Sequence, residues 1–336
     1  VTEDPMSEPA SRTSARRTTI YDLAALAGTS ASAVSAVLNG TWKKRRISAR
    51  LAEKILHLAA EQGYSVNLQA SVLRREKSNI IGMIMPKYDN RYFGAIAEEF
   101  EIRARARGLF PVITCTRRDP DLEFEAAREM VSYQAEHIVA TGATDPDRIA
   151  DFCRAAGVAS INLDLPGAAA PSVVSDNFGG SRDLARLMLN RRRGPLLFIG
   201  GRPTDHNTAE RIRGFRAAHA ERGIDLPESA ILACGYAAEK AERALAARGG
   251  PLPAGLFVNS TITLEGVVRW LRRTAPDSTT EIGAFDWDPF AALLSDVVAM
   301  VEQDVTRMLD EVFRLIDAAP DPALRIEVPT ILRARP

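Results

Sequence analysis

The run Thr19-Ile20-Tyr21-Asp22-Leu23-Ala24-Ala25-Leu26-Ala27-Gly28-Thr29-Ser30-Ala31-Ser32-Ala33-Val34-Ser35-Ala36-Val37-Leu38-Asn39-Gly40 holds two short helical patterns broken by a turn. Thr19 followed by Asp22 has the form of a capping box. Ile20, Leu23, Ala24 and Ala27 share one helical face before Gly28 stops it. Ser30 is a candidate cap for a second helix with the apolar stripe Val34, Val37 and Leu38, ended at Asn39-Gly40. Beyond a basic loop, Ser48 can cap a third helix whose inward face is Leu51, Ile55, Leu58 and Ala59, ended at Gly63. Two short helices joined by a tight glycine turn, with a third to cover their apolar faces, is the helix-turn-helix plan. The pattern predicts an all-α unit over residues 18–63, with the polar segment 1–17 a disordered tail.

The charge distribution sets this end apart. Arg12 to Lys77 carries twelve Lys or Arg against four acids, whereas Ser78 to Pro336 carries 31 against 36, although the whole chain is neutral. A basic patch on a small unit is the electrostatic footprint of a nucleic-acid binder, because neutralising phosphates releases counterions. A merely solvated basic surface is the bland alternative. At 336 residues the chain exceeds what one core usually serves, so a second, larger domain is expected.

From Asn79 onward, apolar runs alternate with amphipathic stretches. Strands are predicted near 80–85, 111–115, 137–140 and 159–163, and a second series near 173–175, 196–200, 231–234, 256–258 and 282–285. Such cycling implies parallel sheets flanked by helices, arranged as two similar lobes with a cleft between them. The three cysteines, Cys115, Cys153 and Cys234, are an odd number set far apart. That argues against a disulfide framework and for a reducing compartment, and none has metal-ligand spacing. Neither a metal nor a cofactor is expected. With no apolar signal core and no run of about 18 apolar residues, a cytoplasmic location away from any membrane is expected.

The run 19–40 resembles the headpiece of the lac repressor (LacI/GalR) family. The segment Tyr64-Ser65-Val66-Asn67-Leu68-Gln69-Ala70-Ser71-Val72-Leu73 is similar to that family's hinge, with Val66 where the family usually has proline. Further markers are 89–93, Asp164, the run Arg211-Ile212-Arg213-Gly214-Phe215, Asn259-Ser260 and Phe285-Asp286. The loop 39–48 and the run 259–267 look most like the fructose repressor (catabolite repressor-activator) branch. The resemblance implies an N-terminal helix-turn-helix headpiece (18–63), a hinge helix (64–77) and a two-lobed, periplasmic-binding-protein-like (type I) α/β effector domain (78–336). It sets lobe 1 at about 78–174 and 299–323, and lobe 2 at about 175–298 and 324–336. The implied function is a DNA-binding transcription regulator, a repressor controlled by a sugar or sugar phosphate. It would act as a homodimer, or a tetramer, on double-stranded operator DNA.

The resemblance also implies roles for single residues. The second helix would enter the major groove, with Ala31, Ser32 and Ala36 at base-reading positions and Tyr21, Ser30, Ser35 and Asn39 beside them. Lys43, Lys44, Arg45 and Arg46 would hold phosphates. Asn67 and Ala70 fall in the hinge, and Leu73 matches the leucine that wedges into the minor groove. In the cleft, Asp164, Asn259 and Asp286 would bind hydroxyls, and Asn90 is a further effector-site residue. Arg211 would bind a hydroxyl pair or an anion, and Phe93 or Trp287 would cover a sugar face. Arg117 and Arg118, just after the second strand, point to an anionic effector. Each of these has a structural alternative: a strand-end Asp often caps the next helix, and an Arg often pairs with it.

Two rival functions share the α/β architecture. An enzyme would need a recognisable catalytic pattern, and no G-x-G-x-x-G, P-loop, G-x-S-x-G or H-E-x-x-H is present. Asp205-His206 is the only suggestive pair. A transporter's solute-binding protein would carry a signal segment and no headpiece.

Overall fold

A computed structural model describes residues 18–64, 78–191, 194–318 and 320–335. The tail and the expected hinge residues Asn67, Ala70 and Leu73 lie outside the described residues. The chain divides into two units, 1–76 and 77–336.

The described residues of the first unit form three helices: α1 (Ile20–Ala27), α2 (Ala31–Leu38) and α3 (Ala49–Glu61). Their ends follow from local chemistry. The Thr19 hydroxyl accepts the Asp22 N–H while the Asp22 carboxylate accepts the Thr19 N–H, completing the capping box. Gly28, at φ 69°, supplies the left-handed residue that ends α1. Ser30 caps α2 and Ser48 caps α3 through their hydroxyls. The chain bends by 103° between α1 and α2, within the range of helix-turn-helix pairs. Leu23, Val34, Val37 and Ile55 meet in the core between the helices. Ile55 is wholly buried, so its truncation to alanine costs about 2–5 kcal/mol.

The second unit contains two six-stranded sheets. The first contains β1 (Ile80–Met85), β2 (Phe110–Cys115), β3 (His137–Thr141), β4 (Ala159–Leu163), β5 (Ser172–Ser175) and β11 (Arg325–Val328), in the order β11-β5-β4-β3-β1-β2. All its pairings are parallel. The second contains β6 (Leu197–Ile199), β7 (Ile231–Leu232), β8 (Gly255–Val258), β9 (Glu281–Phe285), β10 (Val297–Glu302) and β12 (Ile331–Ala334), in the order β12-β10-β9-β8-β6-β7. Only β12 runs antiparallel. Helices α4 (Arg91–Ala106), α5 (Pro120–Ser132), α6 (Pro146–Ala155) and α11 (Val305–Ile316) accompany the first sheet. Helices α7 (Asn177–Arg191), α8 (His206–Ala220), α9 (Ala238–Arg248) and α10 (Thr261–Thr274) accompany the second.

Burial on both faces explains why the strands read as unbroken apolar runs. On β1, Ile81, Met83 and Met85 enter one core with Phe100 and Phe313, while Ile84 enters another with Met130 and Ile138. In the second sheet Phe198 and Phe257 stack with ring centroids 5.1 Å apart, and Phe215 meets both edge-on.

The sheets correct the expected lobe boundaries. β5, grouped with the second series from sequence, pairs with β4 and β11 in the first sheet. β10 pairs with β9, so the second crossing lies after 302 rather than at 299. β11 pairs with β5, so the last crossing lies after 328 rather than at 324. Pairing partners fix these boundaries, and local sequence does not carry them. Among the described residues no single helix is long and apolar enough to cross a membrane.

Candidate effector cleft and DNA-facing helix

One cleft collects residues that follow the carboxyl ends of strands in both sheets, where open α/β sheets place ligands. It encloses about 720 Å³ of empty space, its open mouth included. Lys87, Asn90, Tyr92 and Phe93 come from the loop after β1 and the start of α4. Arg117 and Arg118 follow β2, and Asp164 follows β4. Facing them are Arg202 after β6, Asn207 and Arg211 on α8, Tyr236 after β7, Ser260 after β8 and Asp286 after β9. Gln303 lines the cleft from the second crossing.

Backbone strain concentrates here. Seven described non-glycine residues have left-handed φ, and four of them, Arg117, Arg118, Asp164 and Asp286, line this cleft. Such conformations cost on the order of 1–3 kcal/mol each and persist where surrounding structure holds them.

Two carboxylates, the buried Asp164 and the partly buried Asp286, anchor the interior. Asp164 Oδ1 accepts the Tyr92 hydroxyl at 3.1 Å and the Asn207 amide at 3.0 Å. Asp286 Oδ1 accepts the Gln303 amide at 2.7 Å and stands 3.9 Å from Arg211 Nη2. Burial pushes both carboxyls above the usual carboxylate range; Arg118 and Arg211 oppose the shift at Asp164, and Arg211 opposes it at Asp286. Burial, reinforced by Asp164, also raises the Tyr92 phenol well above its ordinary value. Neighbouring carboxylates that keep an acceptor lobe toward a cleft suit ligand hydroxyls.

Arg211 organises the second wall. Its side chain is buried rather than on the helix surface. Nε donates to Asn177 Oδ1 at 2.8 Å, Nη1 donates to the Asn259 carbonyl at 2.6 Å, and the guanidinium lies 3.9 Å from the centre of the Phe285 ring. Asn177 in turn donates to Asn207 Oδ1 at 3.1 Å, so one hydrogen-bonded chain runs from Arg211 to Asp164.

Asn90, Phe93, Arg117, Asp164, Arg211 and Asp286 thus line one cavity, and two expected cleft residues do not. Trp287 packs beside Ala292 and Arg333, on another surface, because the turn that points Asp286 inward sends its neighbour outward. Asn259 is fully buried beneath the cleft, where it offers its carbonyl to Arg211. Neither atom of its side-chain amide has a hydrogen-bond partner among the described residues. Asn90 has a second duty, since its Oδ1 accepts the Tyr92 and Phe93 N–H groups and caps α4. Sequence reading did not single out Tyr92, Asn207, Gln303, Arg202 or Tyr236 as site residues. Their position after a strand was the available signal. Asp205-His206 forms no catalytic pair: Asp205 faces Arg118 at 3.5 Å, and His206 Nε2 lies 2.6 Å from Arg325 Nη2.

On the first unit, Tyr21, Ser30, Ser32 and the loop residues Lys43, Lys44, Arg45 and Arg46 are exposed, while Ala31, Ser35 and Asn39 are half-buried. The Ser30 hydroxyl is occupied as the α2 cap and lies 2.9 Å from Ser32 Oγ; Asn39 donates to Ser35 Oγ at 3.2 Å. Ala36 corrects the expectation made for it. It is only 3% exposed, so its methyl belongs to the three-helix core and is closed to a base edge.

Comparison with known proteins gives consistent results. A model of the periplasmic binding protein-like domain matches residues 188–335. The ribitol operon repressor of Klebsiella aerogenes is 63% identical over 193 residues, which is 56% of this chain and 72% of that protein. The fructose operon regulatory protein of Vibrio cholerae is 28% identical over 255 residues, 74% of this chain and 78% of that protein. The lac repressor dimer bound to operator and the anti-inducer ONPF shares the fold with a TM-score of 0.80 at 18% identity, over 95% of this chain and 98% of that one. The likeness to fructose repressors is thus accompanied by a much higher identity to a ribitol operon repressor. With that identity and that fold, the chain belongs to the LacI family of transcription regulators.

Proposed function

We propose that the chain represses a pentitol operon, binding operator DNA as a homodimer through residues 18–63 and releasing it in response to a polyol held in the cleft. The observation that carries the effector reading is the pair Asp164 and Asp286. Asp164, buried, and Asp286, partly buried, face one cavity from opposite lobes and suit a ligand that presents several hydroxyls. The polyol class is supported by the 63% identity to a ribitol operon repressor. On the DNA side, α2 lies across the groove with Ser32 toward the bases, and Lys43 to Arg46 hold phosphates. Ser32 offers one hydrogen bond and Ala31 a methyl contact, a sparse direct code that leaves much of the specificity to DNA shape. Leu73, Asn67 and Ala70 would engage the minor groove as hinge contacts.

Fluorescence anisotropy with pseudo-palindromic DNA from upstream of the chain's own gene tests this reading. The expected result is salt-sensitive binding that ribitol or a derivative of it reverses, and that is lost on deletion of residues 1–77. Operator binding by the truncated chain would overturn the headpiece assignment. Binding indifferent to every pentitol tried would overturn the effector class.

A further inference from the structure

The cleft lining carries five cationic side chains, Lys87, Arg117, Arg118, Arg202 and Arg211, against two carboxylates, Asp164 and Asp286. Arg211 is taken up by Asn177, Asn259 and Asp286. The other four belong to loops at strand ends, and their arrangement is unusual in two ways.

Arg117 and Arg118 are the two central residues of a turn closed by Asp119 N–H donating to the Thr116 carbonyl at 3.0 Å, with φ 55° and 60°. Two successive left-handed residues are the signature of a type I′ turn, which strongly prefers Asn-Gly or Gly-Gly. Placing arginine at both positions goes against local backbone preference, and such violations mark function when they persist. The second feature lies across the cleft. The guanidiniums of Arg118 and Arg202, from opposite lobes, approach one ring, that of Tyr236, at 5.6 and 6.0 Å. Among the described residues Arg118 faces Asp205 at 3.5 Å and Lys87 faces Asp89 at 3.8 Å, while Arg117 and Arg202 have no acidic partner. An anion seated beside that ring would offer acceptors to guanidiniums from both lobes.

We infer that the mouth of the cleft is a phosphate subsite and that the effector is a phosphorylated pentitol. This rests on the effector-cleft reading above. A phosphate monoester carries up to two negative charges and three acceptor oxygens, which match forked guanidinium donors. The deep carboxylates Asp164 and Asp286 repel that end, so the hydroxyls point inward and the phosphate lies between Arg117, Arg118 and Arg202. The same dianion draws the two lobes together, since Arg117 and Arg118 belong to one and Arg202 to the other.

Titration calorimetry of the full-length chain with ribitol, ribitol 5-phosphate, ribonate and inorganic phosphate tests the inference. Ribitol 5-phosphate should bind at least about tenfold more tightly than ribitol, the effect of a single charge-assisted hydrogen bond or more. That preference should shrink between about pH 7.5 and 5.5 as the phosphate dianion takes up one proton and becomes a monoanion. It should collapse toward unity in Arg117→Gln/Arg202→Gln and return in part in Arg117→Lys/Arg202→Lys. Equal affinity for ribitol and its phosphate overturns the subsite and leaves the polyol reading standing. Inorganic phosphate binding that depends on Arg117 and Arg202, with no pentitol bound, supports the subsite and overturns the polyol reading. Tighter binding of ribonate than of ribitol 5-phosphate overturns phosphate in favour of a carboxylate.

Discussion

Replacing Arg211 by methionine keeps an unbranched apolar stem and removes the guanidinium and its charge. Arg211 is 3% exposed and serves Asn177 Oδ1, the Asn259 carbonyl and Asp286 at once. Loss of the guanidinium leaves two buried acceptors without their donor and one largely buried carboxylate without its cation. Breaking a buried charge pair from one side costs about 3–5 kcal/mol, mostly because the remaining charge is uncompensated. At about 2–4 °C per kcal/mol for a domain of this class, Tm of the full-length protein should fall by on the order of 10 °C.

The mechanism can be separated from simple loss of packing by pH and by a second substitution. Burial already raises the Asp286 carboxyl, and Arg211 opposes that shift. Without Arg211 the carboxyl rises further. A group whose folded pKa is raised favours the folded state once protonated, so its penalty is present at high pH and relieved as pH falls through that raised value. The Tm gap between wild type and Arg211→Met should therefore narrow from about pH 8 to pH 5. It should also narrow at neutral pH when Asp286→Asn is added. Scanning calorimetry of the four proteins of this cycle provides the measurement. A Tm loss below about 2 °C, or a gap indifferent to both pH and Asp286→Asn, would falsify the account of Arg211 as the counter-charge of the cleft.

Three other outcomes are expected. Neutralising Lys43, Lys44, Arg45 and Arg46 together should reduce the salt dependence of operator binding by about 0.9 in log–log slope for each phosphate no longer neutralised, as measured by anisotropy at several salt concentrations. His219 is buried, with its Nδ1 2.8 Å from the Phe215 carbonyl and its Nε2 accepting the Leu196 N–H at 3.1 Å, and burial lowers its pKa. Stability linked to this neutral ring is present above the ordinary imidazole value of about 6.5 and is lost as pH falls toward the lowered one, so His219→Gln should flatten the acid side of the Tm profile. Gly266→Ala would set a Cβ 2.1 Å from the Ala238 carbonyl oxygen where α9 meets α10, and should lower stability by about 1–3 kcal/mol in calorimetry.

What the sequence made legible depended on how local the determining physics was. The three headpiece helices are fixed by caps and stops within a few residues, so Thr19, Gly28, Ser30 and Ser48 announce their own elements. Asp164, Arg211 and Asp286 were recognisable through the runs that resemble the family, since strand-end position alone left each with a structural alternative. The lobe boundaries were not, because β5, β10 and β11 take their place from pairing partners far away in sequence. Trp287 and Ala36 failed for a shared reason. A single residue's step along a turn or helix reverses the direction of a side chain, and composition does not record that direction. Tyr92, Asn207 and Gln303 act as a network, and their roles appear only when the two lobes are placed face to face.

That network suggests how the cleft becomes a switch. Asn207 of one lobe donates to Asp164 of the other, Arg118 meets Asp205 across the cleft, and Arg91 Nε reaches Asp288 at 2.6 Å. The lobes are therefore held together by bonds that the protein makes with its own side chains. A ligand can shift such an equilibrium only by its differential affinity for the closed and open arrangements, and moving it from 1:99 to 99:1 takes about 5.5 kcal/mol. Hydroxyls on Asp164 and Asp286 alone must compete with bonds those carboxylates already accept from Tyr92, Asn207 and Gln303. A phosphate between Arg117, Arg118 and Arg202 meets no such competition at Arg117 or Arg202, and it touches both lobes. With a phosphorylated effector the larger share of the differential affinity would fall on the mouth of the cleft, the anionic group acting as the trigger and the hydroxyls setting specificity.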